Sequence, residues 1–235
     1  TNVSVITRPE GTVDLAVGSG RALVVGTSVY ALTTGTVPVT GRATIIAGEY
    51  DITRELTGGT IGGRLEVRDA LIPRYQQRLD QLAYDVATQV NARHAAGYDA
   101  LGNTGQPLFV APAAVSGAAR AMAVDPAVLA DNRRVAASGT GATGDNAAAR
   151  AIANLRTANA ASGGSATFTQ AWSQLVFVIG SDSADAKTRF DSRKDVVSAI
   201  ERLRDSVSGV SLDEEASRLI QYQRAYEANA RFFST

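Results

Sequence analysis

The chain has 235 residues, 23 Lys or Arg against 23 Asp or Glu, and a pI near 6.5. That balance removes the electrostatic footprint of a nucleic-acid or anionic-membrane binder. With no cysteine and a single histidine, His94, it also excludes disulfides, thiolate nucleophiles, Cys-based metal sites and most imidazole chemistry.

The first regime, residues 1–61, reads as a β-rich lobe. Its strands are Val3–Ile6, Thr12–Val17, Ala22–Val25, Val29–Leu32, Val37–Val39, Thr44–Ile46 and Tyr50–Ile52. They are short, rich in β-branched residues and punctuated by Gly11, Gly18, Gly20 and Gly26, which predicts antiparallel hairpins. From Gly62 the period changes. Ile72, Tyr75, Leu79, Leu82, Val86 and Val90 mark one face of a helix that stops near Gly97. Pro73 places the helix start near Leu71, where a missing N–H costs least, with Gly58–Gly63 as a flexible entry.

Residues 98–145 are loop-rich, with room for short strands between Gly102, Gly105, Pro107, Pro112 and the stretch Ser138–Asp145. Asp145 is available as N-cap for an Ala-rich helix over 146–157. Phe168, Trp172, Leu175, Ile179, Val196, Ile200, Leu203 and Val207 then share a four-three spacing. The absence of Pro or Gly between Ser181 and Ser208 predicts one long helix despite its polar middle. The longest apolar run, Leu175 to Ile179, is far too short to span a bilayer.

The closing segment opens on a capping box. The Ser211 hydroxyl accepts from the third helical N–H, and Glu214 reaches back to the cap amide. Leu212, Ala216, Leu219, Gln223, Tyr226, Ala230 and Phe233 follow at alternating spacings of four and three, a coiled-coil seam with Tyr222 beside it. Leu212, Ala216, Leu219, Tyr222, Tyr226, Ala230 and Phe233 are therefore the predicted helix or subunit interface. The expected fold is α+β: a long-helix bundle with an antiparallel helical hairpin and a β-rich lobe. Its parts are 1–61, the long helix 62–97, the outer region 98–145, and a helical part 146–235 that bundles with 62–97.

No constellation for catalysis emerges. His94 sits near a helix end, where a structural or surface role outweighs general base chemistry. Asp99–Gly105 faintly resembles a calcium loop, but Leu101 fills a ligand slot and Val110 stands where the bidentate Glu belongs. Gly58–Gly63 lacks the ending of a phosphate loop. Asp213, Glu214 and Glu215 fit a helix first turn. The expectation is an absence of catalytic, metal and cofactor sites. Thr1–Ser4 has neither the basic region nor the apolar stretch of a secretory signal, and without an initiator Met the chain is expected to be a processed or excised piece.

Two blocks carry a family resemblance. Ser208-Gly-Val-Ser-Leu-Asp-Glu-Glu215, followed by Leu219-Ile-Gln-Tyr-Gln-Arg-Ala-Tyr-Glu-Ala-Asn-Ala230, is similar to an "SGVNLDEE" turn and a Gln/Tyr-rich helix, with Ser211 in place of the usual Asn. Gly62-Gly-Arg-Leu-Glu-Val-Arg-Asp69, Leu79-Asp-Gln-Leu-Ala83 and Asn91-Ala-Arg-His-Ala-Ala-Gly-Tyr-Asp99 resemble the pattern "GGLLxFRD … LGQLA … FNxxHxxGxD". Both are marks of the bacterial flagellar hook-associated protein 1 family, the hook–filament junction proteins, and they cover residues 62–105 and 165–233 in the family's order.

The resemblance implies a structural protein of the bacterial flagellum, exported through the type III route with a chaperone and located outside the cell. It implies a homo-oligomeric ring that meets the hook protein and the second junction protein, with no enzymatic activity, nucleic acid or membrane. It further implies a helical half ahead of residue 1, a helix running past Thr235 and an outer region shortened around 106–145. The chain by itself is expected to be monomeric. The alternative is a surface-exposed adhesive module whose β lobe holds a ligand; a hydrolase inserted in the outer region ranks below both.

Overall fold

A computed structural model describes the backbone of residues 3–208 and 212–233 and the side chains of 3–206 and 215–231. The fold is α+β, with long helices and two small antiparallel sheets. The chain divides into two compact units, Thr1–Val176 and Phe177–Thr235.

In the first unit, β1 (Val3–Thr7), β2 (Val13–Val17), β3 (Arg21–Val25) and β4 (Ser28–Val29) form a meander in the order 1-2-3-4. The registers Val5↔Leu15, Leu15↔Val24 and Val24↔Val29 cross it, with an irregularity between Leu15 and Ala16. A second meander joins β5 (Leu32–Thr36), β6 (Ala43–Ala47) and β7 (Tyr50–Asp51).

Two strand expectations change. Val29–Leu32 is not one strand: the Tyr30 N–H donates to the Leu23 carbonyl at 2.8 Å, closing the first sheet, and Leu32 opens the second. Val37–Val39 is a turn. The N–H groups of Thr40 and Gly41 both donate to the Val37 carbonyl, and Gly41 takes φ +64°, left-handed backbone that suits glycine. Pro38 has no N–H to give a ladder.

Val17, Ala47, Ile52 and Leu56 form the buried core of this lobe, packed by Leu23, Ile45 and Leu65. A fully buried aliphatic side chain such as Ile52 contributes about 1.5–3 kcal/mol by leaving water. Polar stitches complete it. The Thr53 hydroxyl accepts from the Ile45 N–H at 2.8 Å, and Glu55 Oε2 accepts from the N–H and hydroxyl of Ser19 at 2.9 and 2.7 Å.

The long helix starts earlier than Pro73 suggested. It begins at Gly59 as α1 (Gly59–Glu66), passes through a π turn at Val67–Leu71, and continues as α2 (Ile72–Ala95). The wide turn accommodates Pro73: the Ile72 N–H donates five residues back to Val67, so the proline ring is spared the tight turn ahead of it. Gly62 is required rather than merely flexible. A Cβ there would stand 2.4 Å from the Thr57 carbonyl carbon.

The buried face of α2 is Ala83, Ala87, Val90 and His94. It is rotated from the expected stripe, because Ile72 and Leu79 are exposed. Alanines let neighbouring segments approach the helix closely. The short helices that follow are α3 (Ala118–Ala121), α4 (Pro126–Ala130) and α5 (Ala147–Asn154). Of these, α3 and α5 pack directly on α2. Val90, Leu155 and Ala160 form a second core with Val86, Leu108, Phe109, Ile152 and Phe168.

The last two helices are α6 (Phe168–Ser208) and α7 (Leu212–Phe233). As expected, α6 is uninterrupted over 41 residues, about 60 Å at 1.5 Å per residue. Its first turns belong to the first unit, where Leu175 is buried and Phe168 joins the second core.

Candidate assembly interface

The second unit presents its apolar side chains to solvent. On α7, Leu219 is 69 % exposed, Tyr222 75 % and Tyr226 76 %, and Ala216 and Ala230 are exposed too. Phe177, Phe190, Val196, Ile200 and Leu203 continue this character along α6. Such a density of exposed large hydrophobics differs from the scattered apolar residues of an ordinary exterior. The Ser211 cap lies outside the described residues, as do the side chains of Leu212, Glu214 and Phe233 and that of Val207 at the end of the α6 stripe.

A set of polar side chains on α2 each grips the backbone of a distant segment within residues 106–162. The Asp80 carboxylate accepts from the N–H groups of Gly117 and Ala119 at 2.8 and 3.0 Å, which fixes the entry to α3. Asp85 accepts from the Ser162 N–H at 2.8 Å. Asn91 uses its whole amide: Oδ1 accepts from Leu108 and Phe109, and Nδ2 donates to the Phe109 carbonyl.

His94 is the deepest of the set, with 1 % of its surface exposed. Nε2 accepts the Ala136 N–H at 2.9 Å, which leaves the ring proton on Nδ1, 2.8 Å from the Gln106 carbonyl it serves. Both nitrogens are spent on backbone, so the ring has none to offer a substrate. Sequence reasoning singled out only His94 of these four. The remote partners of Asp80, Asp85 and Asn91 are backbone groups, which no side-chain motif announces, although Asp85 also accepts from Gln81 Nε2 one turn away at 2.8 Å.

The Asp99 loop is a self-contained turn. Asp99 Oδ1 accepts from the N–H groups of Leu101 and Asn103, and Oδ2 accepts from the Asn103 amide. Burial alone would raise its pKa, but these donors and Arg134 nearby hold it below the usual carboxylate range. Among the described residues no group of three or more His, Asp or Glu is placed to hold a metal ion.

Asp145 is a second hub. It accepts from Ala147 N–H at the start of α5, and from Ser138, Gly139 and Thr140, closing the glycine-rich loop. The Ala147 N–H, then the Thr140 and Ser138 hydroxyls, push its pKa far down against the effect of burial. A cleft of about 330 Å³ between α2 and α5 is walled by Ala92, Ala96, Gly139, Ala147, Ala148 and Ala151. Its one charged residue, Arg93, is engaged with Gln89 of its own helix. Nothing in it converges as reactive groups must.

Residues 1–109 match the family model described as the flagellar hook-associated protein FlgK helical domain. Residues 204–235 match that of the flagellar basal body rod FlgEFG protein C-terminal. The flagellar hook-associated protein 1 of Salmonella typhimurium is 26% identical over 330 residues, and the match takes in 99% of this chain and 59% of that protein. The Escherichia coli protein of that name is 24% identical with the same coverage. The Bacillus subtilis one is 28% identical over 68% of this chain and 32% of its own length. This chain therefore spans about 59% of the length of the first of these relatives. The solved flagellar hook junction protein FlgK from Burkholderia pseudomallei is 34% identical over 46% of this chain and 22% of that one, with a TM-score of 0.41.

Proposed function

We propose, on the premise that the chain belongs to the flagellar hook-associated protein 1 family, that it is part of a structural subunit joining hook to filament in the bacterial flagellum. The observation that carries this reading is the uncovered apolar surface of α7, Leu219, Tyr222 and Tyr226 above all. An exposed aromatic and aliphatic seam on a helix is what a subunit buries on a neighbour. Each Å² removed from water supplies about 25 cal/mol before association costs.

In this reading Ala216, Leu219, Tyr222, Tyr226 and Ala230 belong to the interface, while the expected cap Ser211 with Glu214 and the expected seam side chains Leu212 and Phe233 lie outside the described residues. The helical part 146–235 bundles with the helix over 62–97, and the β-rich lobe 1–61 and the loop-rich outer region 98–145 are separate parts. The whole protein forms a homo-oligomeric ring, contacts the hook protein and the second junction protein, and meets an export chaperone before it leaves the cell. It acts outside the cell, as architecture: no catalysis and no cofactor.

The test is a full-length protein carrying Leu219→Ser, Tyr222→Ser and Tyr226→Ser together. The expected result is normal accumulation and export with loss of attached filaments and of swimming. Swimming at the wild-type rate would overturn the interface. A chain of residues 1–235 that forms ordered rings unaided would also overturn it, because this chain is expected to be monomeric.

A further inference from the structure

The π turn at Val67–Leu71 stands between two bodies that fix the helix separately. On its N-terminal side, Leu65 of α1 packs into the core of Val17, Ala47, Ile52 and Leu56. On its C-terminal side, Asp80, Asp85, Asn91 and His94 of α2 are tied to segments 106–109, 117–119, 136 and 162. Both sets of contacts fix which way their helix faces. The chain between them carries one residue more than a continuous α-helix needs, and the wide turn absorbs it.

This is also the weakest step of the helix. The Ile72 N–H reaches back to Val67, and Pro73, the next residue, has no N–H to give. The turn is held from outside instead. Arg68 Nη1 donates to the Ala43 carbonyl of β6 at 2.7 Å, while its Nε and Nη2 grip Asp69 at 2.8 and 2.7 Å. Arg42 reaches the same carboxylate at 3.4 Å. Arg68 and Asp69 are about one-third exposed, so water competes for every one of these bonds.

We propose that this π turn is a pivot on which the β lobe changes its angle to α2, and that the contacts of Arg68 with Ala43 and Asp69 are its latch. The idea stands apart from the assembly reading, since it concerns motion within the first unit. Around the pivot, the two cores and the backbone clamps move as intact bodies. Only the few polar contacts of the latch and one turn of helix rearrange, the pattern of a hinge whose φ and ψ changes are confined to an element junction.

The chain's lack of cysteine makes the test direct. Spin labels at Thr33→Cys and Gln77→Cys, both exposed positions on the two bodies, report the distribution of distances between them. Deletion of Ala70 combined with Pro73→Ala makes an unbroken α-helix and should narrow that distribution by about half or more. Arg68→Gln should broaden it with the thermal melt of the fold unchanged. A wild-type distribution as narrow as that of the deletion variant would overturn the pivot, and one unaltered by Arg68→Gln would overturn the latch. Should the deletion variant fail to fold, wild-type amide exchange decides. Ile72 should exchange at least about tenfold faster than Val86 and Val90 through local opening, and equal protection would overturn the proposal.

Discussion

His94 and Ala136 are joined across 42 positions of sequence by a single buried hydrogen bond, the Ala136 N–H donating to Nε2 at 2.9 Å. Through its other nitrogen the same ring serves Gln106. One imidazole thereby ties α2 to two loop segments, neither of which has a sheet or a long helix to satisfy its backbone. The residue type most associated with catalysis is here a two-ended backbone clamp. His94→Ala should cost about 2–4 kcal/mol, through the cavity and two orphaned backbone groups. His94→Gln, with one donor and one acceptor, should lose less. Urea unfolding of the three proteins measures this, and a Gln variant no better than Ala would mean that the ring acts by its shape alone.

Asn91 makes a sharper case, because its amide is read in both senses. Asn91→Asp keeps the acceptor that receives Leu108 and Phe109 but sets a carboxylate oxygen against the Phe109 carbonyl, where Nδ2 now donates. The expected loss is about 1–3 kcal/mol, with faster amide exchange at Leu108 and Phe109 than elsewhere. Unchanged exchange at those two amides would remove Asn91 from its clamping role.

These clamps mark the limit of what the sequence disclosed. The strands showed because they are short, rich in β-branched residues and set off by glycine turns, and α6 showed because nothing in its long polar middle breaks a helix. Val29–Leu32 misled because an apolar run passes from one sheet to the next without a polar break. Pro73 misled because its usual place is a first turn, and a π turn leaves no trace in apolar spacing. Asp80, Asp85 and Asn91 look like solvated polar residues of an amphipathic helix. Their remote partners are N–H and C=O groups of distant loops, which every residue carries, so no pattern singles them out.

Asp145 gives the chain an acid-sensitive loop. Its folded pKa is depressed by the Ala147 N–H first and by the Thr140 and Ser138 hydroxyls after it. The stabilisation it contributes is therefore complete above the unfolded carboxylate value of about 3.9. It is lost as pH falls below that toward the depressed folded value. Amide exchange over residues 138–147, corrected for the intrinsic rate at each pH, should rise as pH drops below about 4. In Asp145→Asn that exchange should already be fast at neutral pH and should gain little on acidification. The global acid limb should persist in this variant, since Asp14, Asp51, Glu55 and Asp99 are depressed too. Exchange in Asp145→Asn that matches wild type at neutral pH would refute the role given to the carboxylate.

Gly97 follows the C-terminal end of α2 and lies close to α5. A Cβ on Gly97 would lie 2.6 Å from the Ala148 Cβ, 3.1 Å from the Ser138 carbonyl oxygen and 3.2 Å from the Ala136 Cβ. Gly97→Ala must push α5 or the 136–138 segment outward, at a cost of about 1–3 kcal/mol. Ala148→Gly alone should cost about 1 kcal/mol, from helix propensity. In the Gly97→Ala background it should cost less or help, because it removes the atom that clashes. The double-mutant cycle should give a coupling of about 0.5–2 kcal/mol in favour of the pair. Ser138 and Ala136 stay in place in that cycle, so rescue should be partial. Strict additivity would mean that the clash is relieved by the loop rather than by α5, and would make the loop, not the helix, the softer wall of this junction.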